Sequence, residues 1–564
     1  MLRFVQSSIR LTPFGVALQQ RQACSTMDFK YKRAIEALNS LQSSQASLEQ
    51  RRAERHARPE RGLLQTTACL RHLGLTQQHL RRLRVIHVAG TKGKGSTCAL
   101  TESLLRHHGY RTGFFSSPHL VAARERIRVG GQSISEHEFA SYFWEVFDRL
   151  EQALDDGEQM PMYFMFLTLM SLYVFVREQV DVAVIEVGIG GAYDCTNVIR
   201  YPSVCGITFL DYDHVDILGS RIEQIAEQKA GIVKPGVPVF VGRQRHAATL
   251  PVVADRASRC GSPILSVPEL TEYRAEDGRR PGLAMAGPHQ RQNAALALQL
   301  ARYWRATAGG DLSDPCPALE AIARGVCRPT GDTDTLPRAP PFPLTPLETQ
   351  ALAECRWPGR CQKVSRGPVT YYLDGAHTRG SVELAVHWFQ SEAARDAALT
   401  GRVPRRILLF YSTGSREPSS LLEPLTSLRW DHVIFCPSVV WPVVDTSSDQ
   451  ANCTVTPQSR QCRVGAHCTA WRELTSSDPA DTAAGAVGGQ LHRLACISQA
   501  VELIEQCGDT PAQVLTVGSL HLVGGLLSII DPELRSAMPA PVTAGARPRR
   551  RLASGTAPAG GLLV

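Results

Sequence analysis

The chain has 564 residues, 43% hydrophobic and 20% charged, which is enough for two or three packed cores. Its sixteen cysteines include no Cys-x-x-Cys pair, which argues against a zinc knuckle or a secreted disulfide framework and for a reducing compartment. The formal charge of +8 resides in the tails (Arg3, Arg10 and Arg21 at one end; Arg535, Arg547, Arg549, Arg550 and Arg551 at the other), so the neutral body argues against a nucleic-acid surface.

Residues 1–26 combine arginines, serines and apolar residues without an acid, the composition of a mitochondrial transit peptide; initiation at Met27 would yield a cytosolic form. Residues 28–83 read as polar helices packed against the domain that follows. From Arg84 strands and helices alternate. An apolar strand at 85–89 runs into a Gly-rich turn, then into a helix with Leu100, Leu104 and Leu105 on one face and Gly109 as its stop. A strand follows at 112–116. The apolar stretch 162–176 is interrupted by Thr168 and Ser171 and reads as a buried helix; no run reaches the ~18 residues of a membrane span. Runs at 180–187, 204–209 and 237–241 suit central strands covered on both faces. This order predicts an α/β fold, a parallel sheet with right-handed crossovers.

The first domain is expected over 27–308. Eight prolines between 309 and 354 suggest a linker or irregular insertion. A second α/β domain is expected over 355–532, with strands at 369–373, 407–411, 433–436 and 514–517 and a surface insertion at 446–489. Residues 533–564 read as a disordered basic tail.

The turn after the first strand, GTKGKGS, is built for phosphate. Gly90, Gly93 and Gly95 let backbone N–H groups approach anionic oxygens, Lys94 adds a point charge, and Thr91 and Ser96 offer hydroxyls that can reach Mg²⁺. Its spacing departs from the common nucleotide-hydrolase pattern, which weakens a kinase or GTPase reading. In open parallel sheets, ligands bind beyond the carboxyl ends of the strands. Ser116, Ser117, Glu186, Asp211, Asp213 and His214 all follow apolar runs at such ends, and Mg²⁺ prefers their oxygen ligands.

Nine ordered blocks carry a resemblance: GTKGKGS (90–96), SSPHL (116–120), EVGIGGAYDCTN (186–197), DHVDILG (213–219), IAEQKAGIVKPGVP (225–238), GPHQRQNAALAL (287–298), WPGR (357–360), YLDGAHT (372–378) and GSLHLVGG (518–525). Together, over about 28–530, they resemble the folylpolyglutamate synthases, ATP-dependent amide ligases of the Mur ligase superfamily. The resemblance implies an N-terminal P-loop ATPase-like domain and a C-terminal Rossmann-like glutamate-ligase domain. It implies phosphorylation of a folate γ-carboxylate by ATP, then attack by the amine of L-glutamate. Gly93, Lys94 and Ser96 would cradle the phosphates. Ser117 and Glu186 would hold one Mg²⁺, and His214 would belong to a second metal site. Lys229 matches a lysine carried as a carbamate, and a monovalent cation such as K⁺ is a further candidate. Gln290 and Asn293 match adenine-side contacts; Arg360, Asp374 and His377 match second-domain residues near phosphates and glutamate. The implied partners are reduced folates, glutamate and ATP, with a monomeric enzyme, no nucleic acid, and inner-membrane association as an option in mitochondria.

Arg124 and Arg126, just after SSPHL, are candidates for the anionic folate tail. Departures from the family pattern lie at Ser412 and Ser415, which replace an amide and a carboxylate while Arg416 remains, at Asp211 in place of a usual Gly, and at Met165 in place of a charge. A dihydrofolate synthase and a non-catalytic nucleotide or folate binder are the competing readings.

Overall fold

The computed structural model describes residues 29–43, 59–155, 159–311, 313–325, 336–401, 403–414, 416–443, 445–476, 489–506 and 508–531. The expected transit peptide, Met27, Ser415 and the basic tail lie outside these residues.

Eight strands form the first sheet: β1 (Ile86–Ala89), β2 (Thr112–Phe115), β3 (Ile127–Val129), β4 (Gln132–Ser133), β5 (Val182–Glu186), β6 (Val204–Ile207), β7 (Val239–Val241) and β8 (Ile264–Ser266). Their order is β4-β3-β2-β5-β1-β6-β7-β8. The six from β2 to β8 pair in parallel, while β3 and β4 add an antiparallel edge hairpin that the apolar pattern, being short and Arg-rich there, did not reveal. Successive side chains of a strand point to opposite faces. Accordingly Ile86, Val88, Val182 and Val184 enter the core beneath the helices α1 (Lys94–His107) and α4 (Pro288–Ala306). Phe115, Ala183 and Ile185 enter the opposite core with α2 (Tyr163–Arg177) and the helices near the N-terminus. The helix α3 (Ile222–Ala230) packs beside β6 and β7.

The proline-rich 309–354 stretch is not simply a linker. It carries a helix at Pro317–Ala323, β10 (Pro343–Leu344), which pairs with β9 (Arg274–Ala275), and α5 (Pro346–Glu354). Phe342, Leu344, Ala351 and Leu352 are buried in the core under α1 and α4, so this segment belongs to the first domain. Two of its prolines, Pro317 and Pro346, stand at helix starts, where a missing N–H costs nothing.

The second sheet is β11-β12-β16-β13-β14-β15, made of β11 (Gln362–Arg366), β12 (Val369–Leu373), β13 (Arg405–Phe410), β14 (His432–Phe435), β15 (Gln490–Arg493) and β16 (Ala512–Val517). Only β11 runs antiparallel to its neighbour. The expected surface insertion contains α6 (Pro457–Thr475), whose Val464, Cys468 and Trp471 are buried in this domain's core. Its polar composition concealed a helix with a narrow apolar stripe. Residues 477–488 of it lie outside the described residues.

Candidate active site

The central strand β1 has β5 on one side and β6 on the other, and the turn 90–93 leaves its carboxyl end between them. Gly90 (φ +152°) and Gly93 (φ +88°) hold backbone conformations that L side chains rarely adopt. A Cβ at Gly90 would lie 1.8 Å from Thr208 Oγ1, and one at Gly93 would lie 2.2 Å from Asn293 Oδ1. The amides of Thr91 and Lys92 donate to the Phe209 carbonyl at 2.9 and 3.1 Å. Thr91 Oγ1 donates to the Asp211 carbonyl at 2.9 Å, so the loop is fixed to the end of β6. The backbone then enters α1 at Lys94, leaving the helix N-terminus facing the cavity.

That cavity, about 2090 Å³, lies between the two sheets. Thr91, Gly93, Lys94, Gly95, Ser96, Ser117, Glu186, His214, Lys229, Gln290, Asn293, Arg360, Asp374 and His377 all line it. Gly90 contributes its carbonyl, which accepts from Lys229 Nζ at 2.9 Å.

Glu186 closes β5 beside β1, paired with Val88. Its Oε2 accepts from the Ser117 amide at 3.1 Å, while Oε1 accepts no hydrogen bond among the described residues. Burial raises its pKa, against the lowering influence of Lys94 and Ser117. Burial pushes the Lys229 amine well below its usual range, and the charge of Lys94 adds to this. His214 opens a short helix with φ +50° and is drawn down to about 4, first by burial and opposed by Asp213. Among the described residues, no three His, Cys, Asp or Glu side chains cluster tightly enough to hold a metal by themselves.

Gln290 and Asn293 sit in the first turn of α4, entered through Gly287 (φ +99°) and Pro288, and Asn293 Nδ2 donates to Gln290 Oε1 at 2.8 Å. On the facing domain Asp374 ends β12 and accepts from the Cys361 amide at 2.8 Å. His377 Nδ1 donates to the Gly375 carbonyl at 2.7 Å, which leaves Nε2 as an acceptor, 2.9 Å from Lys92 Nζ.

Two contributors were underrated from sequence. Lys92 has no role of its own in the sequence reading of GTKGKGS, and Asp213 stands there among the candidate Mg²⁺ ligands. Instead both Asp213 oxygens are engaged: Oδ2 by Lys92 Nζ at 3.0 Å, Oδ1 by Arg416 Nη2 at 2.9 Å across the domain gap. Burial favours a neutral Asp213, but contact with His377 and the charge of Lys92 hold its pKa well below the carboxylate range. The run of Asp and His after β6 was the available signal; which partner each meets depends on the second domain. Of the two arginines after SSPHL, Arg126 is buried and lines the cavity, whereas Arg124 Nη1 donates to the Ile134 carbonyl. Ser412 is buried away from the cleft, its Oγ 2.9 Å from His467 Nε2 and 3.0 Å from Arg463 Nη2. Asp211 receives His246 at 3.0 Å, and Met165 is a buried part of the cavity wall.

No family model matches the chain. Over 562 residues it is 41% identical to the mitochondrial folylpolyglutamate synthase of Bos taurus, spanning 90% of this chain and 93% of that protein. The chain belongs to the folylpolyglutamate synthase family. The Homo sapiens mitochondrial folylpolyglutamate synthase is 41% identical over 554 residues, with 90% and 92% covered. Two solved structures share the fold. The Mycobacterium tuberculosis folylpolyglutamate synthase complexed with ADP and AMPPCP has a TM-score of 0.60 and 22% identity, over 86% of this chain and 98% of that one. Escherichia coli FolC in complex with DHPP and ADP has a TM-score of 0.55 and 24% identity, over 82% and 93%. For a folylpolyglutamate synthase, the two-domain α/β architecture is the expected arrangement.

Proposed function

We propose that this chain joins L-glutamate to the γ-carboxylate of reduced folates and of folylpolyglutamates at the expense of ATP, by way of an acyl phosphate. The observation that carries the reading is the single cavity shared by the P-loop, Glu186 and Lys229 of one domain with Arg360, Asp374 and His377 of the other. A carboxylate is a poor electrophile at neutral pH. Its oxygen attacks the γ-phosphorus of ATP, the bond to the β-phosphate breaks, and ADP leaves. The amine of glutamate then attacks the acyl carbon and inorganic phosphate departs. Positioning and charge neutralisation supply most of the catalysis in such transfers.

We assign the phosphates to the amides of 90–96 with Lys94 and Ser96, and the adenine side to Gln290 and Asn293. Arg360 reaches the phosphates from the second domain, and Asp374 orders its neighbouring loop through Cys361. Arg126, buried on the cavity wall and in no ion pair among the described residues, receives the anionic folate tail. His377 carries a lone pair on Nε2 and takes the proton that the attacking amine sheds.

The donor set fits a hard divalent cation. Glu186 Oε1, unengaged among the described residues, lies on the cavity wall that Ser117 also lines. Lys229, whose amine burial shifts towards the neutral form, would become an oxygen ligand by adding CO₂; His214 completes this second group. Bound Mg²⁺ would neutralise phosphate charge there. By analogy with the relatives named mitochondrial, the enzyme works in mitochondria, with a cytosolic form from Met27. No described helix is long and apolar enough to cross a membrane.

Incubation of the purified chain with ATP, Mg²⁺, labelled glutamate and either tetrahydrofolate or dihydropteroate tests the reading. Label is expected on tetrahydrofolate. Incorporation only with dihydropteroate would make the chain a dihydrofolate synthase, and absence of folate-dependent ADP release would make it a binder.

A further inference from the structure

The strap 445–454 leaves the second domain and is fastened to the first by side chains that the reaction does not use. Tyr31 Oη and the Ala123 amide both donate to Asp449 Oδ1 at 2.7 Å. Asn39 Nδ2 donates to the carbonyls of Thr446 and Ser448 at 2.8 and 3.0 Å. Gln42 donates to the Ala451 carbonyl and accepts from the Cys453 amide, each at 2.9 Å. Gln450 Nε2 donates back to the carbonyls of Leu120 and Val121 at 2.8 and 2.7 Å. Leu120 and Val121 in turn are buried in the second domain's core. The strap and the SSPHL loop therefore interlock, and Asp449, Gln450 and Asn452 line the same cavity as Arg126.

His119 lies at the centre of this junction, 5% exposed. Its Nε2 is 3.0 Å from the Asp449 carbonyl oxygen and its Nδ1 accepts from Arg126 Nε at 3.0 Å. A carbonyl can only accept and a guanidinium can only donate, so the ring proton resides on Nε2 and the lone pair on Nδ1. The strap carbonyl thus fixes the tautomer, and the tautomer fixes the guanidinium. Tyr163 holds the same group from another side, with the Arg126 Cζ 5.2 Å from the ring centroid. Among the described residues no hydrogen bond engages the terminal nitrogens of Arg126, which lines the cavity.

We propose that His119 and the strap carbonyl of Asp449 are positioning elements that aim Arg126 at the anionic folate tail, so that tail recognition requires the second domain's strap to be docked on the first domain. This rests on the assignment of Arg126 to the folate tail. The fork of an arginine matches a carboxylate in one orientation, and a relay through a rigid ring restricts that orientation more than solvent would.

The test uses the full-length enzyme and separate KM values for tetrahydrofolate, ATP and glutamate, with Tm for each variant. Arg126→Gln tests the underlying assignment and should raise the folate KM. His119→Phe removes both relay bonds and should raise the folate KM about tenfold with the ATP KM unchanged. His119→Gln, which can accept and donate at its far end, should restore the folate KM to within about threefold of the parent. Gln450→Ala should raise the folate KM in the parent but add little to His119→Phe, since both act through one relay. A raised folate KM in Arg126→Gln with none in His119→Phe overturns the relay and keeps the assignment. No change in Arg126→Gln overturns the assignment and the relay with it. Equal rises in all three KM values, failure of His119→Gln to restore, or full additivity of Gln450→Ala would each reduce His119 to a structural residue and overturn the proposal.

Discussion

Replacing Gly93 by Ala perturbs the glycine-rich turn where it packs against Asn293. Gly93 has φ +88°, and the left-handed conformation costs an L residue roughly 1–2 kcal/mol. The new Cβ would stand 2.2 Å from Asn293 Oδ1, so that side chain must turn away and its 2.8 Å bond to Gln290 is lost, at about 1 kcal/mol. The local cost is therefore roughly 2–3 kcal/mol, which a domain of this size survives folded. Function suffers more specifically, because both the amide at the helix start and the Gln290–Asn293 pair move. We expect the ATP KM to rise about tenfold or more while the folate KM changes little. The control is Gly74→Ala: its φ of +71° imposes similar strain, but nothing lies within 4 Å of the added Cβ. Steady-state kinetics and thermal melts on both variants decide the matter. An ATP KM equal to the parent's in a folded Gly93→Ala enzyme would refute the proposed seat of the phosphates and adenine.

Lys94→Ala should abolish glutamate addition with a near-parental Tm, since its assigned partner is the ligand; near-normal turnover in the folded variant would remove the loop from the mechanism. Lys229→Gln should be inactive, and the parent should lose activity on removal of CO₂ and regain it with bicarbonate; mass spectrometry under native conditions would show the added CO₂, and a CO₂-insensitive parent would exclude the carbamate. His467, fully buried with Nε2 on Ser412, is held at about 3 by burial, with Arg463 adding to the effect. Because the folded state binds fewer protons than the unfolded one, stability is full above pH about 6.5 and falls as the pH drops towards 3. By pH 4.5 this group accounts for roughly 3 kcal/mol, and urea titrations of His467→Gln should show a correspondingly shallower acid loss.

The glycine turn and the polar strand ends around it were legible because their requirements are local. A glycine turn between an apolar strand and a helix can be read from a dozen consecutive residues, and Glu186 and His214 fall where apolar runs stop. The antiparallel edge of the first sheet was not legible, since β3 and β4 are two or three residues long and too polar to show an apolar run. Proline content misled at 309–354 because composition cannot distinguish prolines that start helices from prolines that forbid them. The burial of α6 was likewise hidden in a polar stretch, where a few apolar residues suffice once the strands of the same domain supply the rest of the core.

The sequence by itself determined the alternating α/β pattern, the glycine turn after the first strand and, through ordered motifs, the family. Those features depend on residues close together in the chain, where backbone freedom and hydrophobic period act directly. Only the tertiary structure decided that Asp213 joins Lys92 to Arg416, that Arg126 rather than Arg124 faces the cavity, and that the 445–454 strap meets His119. These pairings join residues as far as 330 positions apart. No local rule ranks one such partner over another. The geometry of two packed domains does.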